Sequence, residues 1–181
     1  MILSDSELIE MLREPRTRRE GFAVLVKQYS EKLYLKVRRI VLSHEDANDV
    51  LQNVFIKVWS NLQNFQGKSS LSTWLYRIAI NESLDFLRKQ KLADKVSADE
   101  DLSVASRLMS DEYFDGDEVQ ARLQEAVARL PEVQRTVFNL KYFEEMKYSE
   151  ISQILNTSEG ALKASYHLAV KKITEYLHLF D

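Results

Sequence analysis

Lys163, His167 and Lys171 recur every four residues, so on a helix they share one face. The stretch that holds them, YSEISQILNTSEGALKASYHLAVKK, reads as a short helix, a three-residue turn and a longer helix, with Thr157 or Ser158 placed to cap the second. This is the layout of a helix-turn-helix, whose second helix enters a DNA major groove. Lysines there can neutralise phosphates or reach guanine edges. An ordinary solvated helix face over a helical hairpin has the same spacing. A second group lies in WLYRIAIN, residues 74–81, just after the turn-prone loop NFQGKSS, residues 64–70. Bases presented singly stack on aromatic rings beside cations, at about 1–3 kcal/mol per base. Trp74 and Tyr76, with Lys68, Arg77, Arg88 and Lys89 nearby, supply those ingredients, and Asn81 with the loop Ser and Asn side chains could read base edges. The same aromatics serve equally well as core or boundary residues. Catalytic groupings are thin. His44, His167 and His178 lack metal-ligand spacing, the four glycines stand alone, and the carboxylates form no convincing pair, so neither an enzyme, a cofactor nor a metal site is expected.

The elements that position these residues follow from apolar spacing. Ser4-x-x-Glu7 is a capping box that opens a short helix with Leu8, Ile9 and Leu12 on one side, and Pro15 stops it. A long helix is predicted from Arg18 to Leu42, with Phe22, Leu25, Val26, Tyr29, Leu33, Val37, Ile40 and Val41 on one face. Ser43 starts the next, whose stripe is Ala47, Val50, Leu51, Val54, Phe55, Val58, Trp59 and Leu62. Its opposite face is Asp49, Gln52, Asn53, Ile56 and Ser60, with Ile56 an apolar residue among polar ones. Ser70 caps a helix from Leu71 to about Lys91, with Leu71, Leu75, Ile78, Ala79 and Phe86 inward. Residues 92–117 are acidic, Ser-rich and weakly periodic, and read as a flexible linker with a transient helix around Val104 to Met109. Helices resume at about Val119 to Leu130. Pro131 then stands at the first position of a helix that buries Val133, Val137, Phe138 and Leu140. The two helices of the helix-turn-helix place Ile151, Ile154 and Leu155, then Leu162, Tyr166, Ala169, Ile173 and Leu177, inward.

Composition agrees with an all-α chain. Of 181 residues 45% are hydrophobic, enough for a packed core, while 4 Gly and 2 Pro are too few for the turns of a β-sandwich. No apolar run approaches a membrane span, the N-terminus has no secretory-signal pattern, and the absence of Cys fits a reducing compartment. Net charge is -3, unlike a general nucleic-acid coat. The distribution is uneven. Residues 21–91 carry 11 Lys/Arg against 6 Asp/Glu, residues 92–117 carry 2 against 8, and residues 118–181 carry 8 against 9.

Four stretches, FAVLVKQY, DANDVLQNVFIKVW, NFQGKSSLSTWLYRIAINESLDFLRK and LPEVQRTVFNLKYFEEMKYSEISQILNTSEGALKASYHLAVKKI, occur in that order. Together they resemble the extracytoplasmic-function group of bacterial RNA polymerase sigma factors, over about residues 18–177 apart from the linker. The resemblance implies a region-two-like domain at 1–91, a linker at 92–117 and a region-four-like helix-turn-helix domain at 118–181. It implies that Asp49, Gln52, Asn53 and Ile56 dock on the clamp helices of core RNA polymerase, which gives Ile56 a reason to be exposed. It implies that Asn64, Phe65, Lys68, Ser69, Ser70, Arg77 and Asn81 recognise and melt the minus-ten element of promoter DNA, with Phe65 and Asn81 at positions that hold an extruded base. It implies that the helix with Ser158, Lys163, Ala164, His167 and Lys171 reads the minus-thirty-five element. A cytoplasmic location, no membrane contact of its own and an anti-sigma factor as partner go with the same family. Ser165 and Leu168 stand where the family often has Arg, which implies a weaker phosphate grip. Two other readings share parts of the pattern: a helix-turn-helix regulator that never joins polymerase, and a helical interaction module without a nucleic-acid role.

Overall fold

The computed structural model describes residues 2–94 and 116–180. The chain divides into two compact units, residues 1–97 and 98–181. Every regular element among the described residues is helical.

In the first unit α1 (Asp5–Arg13) begins at Ser4, whose Oγ accepts the Glu7 N–H at 3.4 Å while the Ser4 N–H donates to the Glu7 carboxylate at 2.8 Å. Both orphan donors at the helix start are thereby satisfied. These Ser4 bonds hold the Glu7 carboxyl below its ordinary range. Helix α2 (Arg18–Val41) crosses α1 so closely that a Cβ on Gly21 would lie 2.8 Å from Met11 Cβ. Leu42 closes α2 in a left-handed conformation at φ 68°, and the Ser43 hydroxyl then caps α3 (His44–Asn61) by accepting the Asp46 N–H. A 3-10 turn (Leu62–Asn64) and the loop to Ser70 lead into α4 (Leu71–Asp94). The core gathers Leu8 of α1, Leu25, Leu33 and Val37 of α2, Val50, Val54 and Val58 of α3, and Leu71, Leu75, Ala79 and Ile80 of α4.

Three expectations shift here. On α4 the buried row is Leu71, Leu75, Ala79, Ser83 and Leu87, flanked by Ile80 and Leu84, whereas Ile78 and Phe86 are half-buried. A four-residue spacing advances about 400° per step, so the row winds around the helix by about 40° each time. It stays buried because α2 and α3 both pack on α4. Ser83 can be buried because its hydroxyl donates to the Ala79 carbonyl at 2.8 Å. On α3, Leu51 and Phe55 are half-buried and Trp59 is 42% exposed, resting edge-on against Phe22. The helix of α4 also runs to Asp94, past the predicted start of the linker. The remaining linker, with its expected helix near Val104, lies outside the described residues apart from its last two positions.

The second unit holds α5 (Glu118–Ala128), α6 (Glu132–Phe138), α7 (Tyr148–Leu155) and α8 (Glu159–Leu177). Pro131 is the residue before α6 rather than its first, with extended backbone. In the first turn of α6 Val133 is 60% exposed, against expectation, and Glu132, Gln134 and Arg135 are half-buried, while Thr136, Val137 and Phe138 go in. A π-turn (Asn139–Phe143) follows, closed by the Glu144 N–H donating to the Asn139 carbonyl at 3.2 Å. The core is built on Ala126, Val127, Leu130, Val137, Phe138 and Leu140, with Ile151 of α7 and Leu162, Ala169 and Ile173 of α8. Leu155, Tyr166 and Leu177, expected inside, are half-buried at its edge.

Candidate nucleic-acid interface

Three surfaces carry the residues singled out above. The first is the outward side of α3. Asp49, Gln52, Asn53 and Ile56 are all exposed, and their spacing sets them side by side over two turns. Ile56 is 63% exposed. Beside it, Phe55 and Trp59 meet Phe22 of α2 edge-on, at centroid distances of 6.4 Å and 5.0 Å. The face is thus polar at one end and apolar and aromatic at the other.

The second surface is the loop before α4 and the outer side of that helix. Asn64 ends the 3-10 turn, with its amide donating to Asn61 Oδ1 at 3.3 Å, and the Phe65 N–H closes the turn on the Leu62 carbonyl. Gly67 takes φ +70°, a conformation that side-chain-bearing residues adopt at a cost. Lys68 and Ser70 are exposed and Ser69 is half-buried. Ser70 Oγ accepts the Thr73 N–H at 3.2 Å and donates to Thr73 Oγ1 at 2.9 Å, which fixes where the loop enters α4. Arg77 and Asn81 are both exposed, and a four-residue step keeps them on one side of α4. Asn81 borders an open groove of about 420 Å³ lined by Lys57, Ile78, Glu82, Leu84, Asp85 and Arg88. The Lys57 ammonium donates to Glu82 and ties α3 to α4 at that groove.

The aromatic pair in WLYRIAIN is divided between two settings. Trp74 lies against Phe65 of the loop, ring centroids 5.0 Å apart. Tyr76 turns toward α2, where Lys36 Nζ sits 4.2 Å from its ring centroid. The structure therefore does not join Trp74 and Tyr76 into one stacking platform. It pairs the tryptophan with the loop phenylalanine, about 10 Å along α4 from Asn81.

The third surface is α8. Asn156 ends α7 in a left-handed conformation at φ 51°, and the Ser158 hydroxyl caps α8 by accepting the Ala161 N–H at 3.3 Å. The NTS turn is thus set by the Asn156 backbone and the Ser158 hydroxyl, the latter one of the two caps its composition suggested. Lys163, Ala164, His167 and Lys171 are all exposed. Lys171 reaches Glu175 at 3.9 Å. Lys163 Nζ lies 5.7 Å from the ring centroid of Tyr148, the first residue of α7. Lys141 Nζ lies 5.0 Å from the same ring and donates to the Met146 carbonyl at 3.2 Å. Tyr148 is propped edge-on by Tyr166, which stacks on Phe138, which stacks on Tyr142. Lys141 and Tyr148 were not among the residues chosen from sequence. Their only local sign is a lysine and a tyrosine in a helical connection, and Lys163 stands 22 residues beyond Lys141. Among the described residues no group of His, Asp and Glu is placed to hold a metal ion, and no helix is long and apolar enough to cross a membrane.

A small helical unit with a polar outward helix, and another ending in a helix-turn-helix, are the two parts of a sigma-70 factor. The family model for Sigma-70 region 2 matches residues 25–93, and that for Sigma-70, region 4 matches residues 120–173. The ECF RNA polymerase sigma factor SigW of Bacillus subtilis is 34% identical over 157 residues, covering 82% of this chain and 84% of the relative. RNA polymerase sigma-H factor of Pseudomonas aeruginosa is 30% identical over 182 residues, covering 96% and 93%. Among solved structures, the sigma factor RpoE in complex with the anti-sigma factor NepR from Bartonella quintana shares the fold with a TM-score of 0.68 at 21% identity, covering 88% of this chain and 98% of that one. CnrH in complex with the cytosolic domain of CnrY does so with a TM-score of 0.68 at 20% identity, covering 98% and 96%. The chain belongs to the extracytoplasmic-function group of RNA polymerase sigma factors. It accordingly binds core RNA polymerase and promoter DNA and directs transcription initiation.

Proposed function

We propose that the three surfaces divide that work. Asp49, Gln52, Asn53 and Ile56 on α3 dock on core polymerase. Asn64, Phe65, Lys68, Ser69 and Ser70 of the loop, with Arg77 and Asn81 of α4, open the minus-ten element and hold an extruded base. Ser158, Lys163, Ala164, His167 and Lys171 of α8 read the minus-thirty-five element. Residues 92–117 tether one binding unit to the other. The chain does no bond-making chemistry itself, and it works in the cytoplasm, where polymerase and DNA are.

One observation supports this assignment above others: all four α3 residues are solvent-facing on a helix whose Ala47, Val50, Val54 and Val58 are fully buried. An outward Ile56 contributes nothing to that core, and with the exposed Trp59 and the Phe55 and Phe22 rings beside it an apolar patch is left that a partner surface would cover. Net charge supports a dependence on polymerase. Affinity for DNA grows with each phosphate neutralised, and a chain at -3 with Ser165 and Leu168 on its recognition helix has a limited electrostatic grip. Polymerase holding both units on one promoter supplies the missing affinity as effective concentration. Two solved structures of the same fold contain an anti-sigma factor or a cytosolic domain as partner, and a comparable inhibitor is proposed for this chain.

The test is run-off transcription with purified core polymerase on a library of genomic fragments. Initiation from discrete promoters that requires this chain is expected, together with its co-elution with core polymerase. Tight, sequence-specific shift of promoter DNA by the isolated chain at physiological salt, with no co-elution, would instead establish a regulator acting alone.

A further inference from the structure

We propose that Arg13, the last residue of α1, reaches over Gly67 of the loop before α4 and, with Lys68, grips the phosphate backbone of the DNA strand whose base that loop extrudes. This contact rests on the reading of residues 64–70 as the minus-ten loop. It adds α1, which lies ahead of the region 2 match at residues 25–93 and to which no DNA contact has been assigned.

The end of α1 is complete without the Arg13 side chain. The last four carbonyls of a helix have no partner within it. Here the Glu14 N–H donates to the Glu10 carbonyl at 3.1 Å and Thr17 Oγ1 to the Met11 carbonyl at 2.9 Å. Arg18 donates from Nε to the Leu12 carbonyl at 3.0 Å and from Nη2 to the Arg13 carbonyl at 3.2 Å. Arg18 thus does what a cation commonly does at a helix C-terminus. Met11 meets α2 at Gly21, and two residues turn a helix by about 200°, so Arg13 is set on the far side of α1. There its Nη2 lies 3.7 Å from where a Cβ on Gly67 would stand. Helix α1 also packs on the 3-10 turn that leads into this loop.

The chemistry selects a phosphate. Arg13 and Lys68 are both exposed, and neither side chain has a hydrogen bond or a carboxylate partner among the described residues. Glu10 and Glu14 are near Arg13 along the chain and pair with neither cation. The N–H groups of Gln66, Gly67, Lys68 and Ser69 are likewise without a hydrogen bond among the described residues. With no Cβ at Gly67, this backbone lies open beside the two cations. A guanidinium fork, an ammonium and a run of N–H donors match a group with several acceptor oxygens and a full charge. Holding a long guanidinium over the loop costs side-chain entropy and returns nothing to the fold, whereas a bound phosphate would return it. Phe65 stands at most about 7 Å from Gly67 along the chain. A strand whose base rests at Phe65 therefore carries its own or the adjoining phosphate past Gly67.

The experiment uses holoenzyme reconstituted from the full chain and core polymerase, with a labelled promoter fragment recovered by run-off transcription. Anisotropy is read from about 50 to about 200 mM salt for wild type, R13K, R13M and K68M. R13M and K68M are each expected to lower the log–log salt slope by about 0.7–0.9, so the deficit of each shrinks about threefold across that range. R13K keeps the slope and loses only the fork. A second series replaces single phosphates of the minus-ten element by uncharged methylphosphonates. One replacement is expected to weaken wild type and leave R13M unchanged, which loss of a merely structural residue does not produce. Assembly with core polymerase before DNA is added is expected to be unchanged, and circular dichroism melts confirm folding. A wild-type salt slope in R13M, or equal weakening of wild type and R13M by every methylphosphonate, would overturn the inference. So would weakened assembly of R13M with polymerase alone, which would assign Arg13 to a protein contact. If R13M behaves as wild type while K68M and Phe65→Ala are impaired, the α1 contact falls and the minus-ten reading stands. If all three behave as wild type, both fall.

Discussion

Ile56→Ala separates docking from folding. The change deletes three buried-type carbon groups, each worth about 0.8 kcal/mol when removed from water. Ile56 is 63% exposed before docking, so burial under a partner would recover roughly two thirds of that sum. The expected loss of affinity for core polymerase is about 1.5 kcal/mol, or roughly tenfold in Kd. The fold should not notice. Exposed substitutions usually change stability by less than about 0.5 kcal/mol, and Ala is the better helix former. The contrast is Val54→Ala, two residues away and 0% exposed. It deletes two methyl groups and leaves a cavity, so it should cost about 2 kcal/mol of stability. The assay is competition of unlabelled variants against labelled wild type for core polymerase, with thermal melts alongside. The reasoning fails if Ile56→Ala competes within twofold of wild type, or if it melts as low as Val54→Ala.

Other outcomes follow from the same geometry. Lys163→Ala with Lys171→Ala should abolish transcription from the chain's own promoter and lower the log–log salt slope by about 1.8, read by promoter binding of the holoenzyme. Phe65→Ala removes the ring packed on Trp74 and should reduce promoter opening, read as permanganate reactivity of unpaired thymines, about tenfold, while polymerase assembly is unchanged. Ser158→Ala deletes the cap of α8 at a cost of about 1 kcal/mol and should lower the melting temperature by several degrees, whereas Ser158→Thr retains it. The Lys36 ammonium is held at about 8 in the fold against 10.5 outside it. Between those values the unfolded chain binds more protons, so stability should rise with pH from 8 to 10.5. Lys36→Met should flatten that rise in chemical denaturation series, and an unchanged slope would count against the depressed value.

Short-range chemistry is what the amino-acid order determined. The Ser4 and Glu7 capping pair, the Ser43 hydroxyl, the Ser70 cap and the Asn156 to Ser158 turn all appear where their residue types predicted. Their partners lie within four residues, so no other helix is needed to specify them. The outward side of α3 and the exposed side of α8 were legible for a similar reason, because one helix's periodicity separates its faces. Tertiary structure decided the rest. Whether Tyr76 lies with Trp74 or under Lys36 depends on how α4 is rotated against α2. Periodicity constrains that rotation only to within the width of an apolar stripe. The exposure of Trp59, the meeting of Lys57 with Glu82, and the gathering of Lys141 and Lys163 around Tyr148 arise likewise from separate elements packed together. Each depends on a crossing angle that side-chain packing sets, and that angle is a property of two helices at once rather than of either one's sequence.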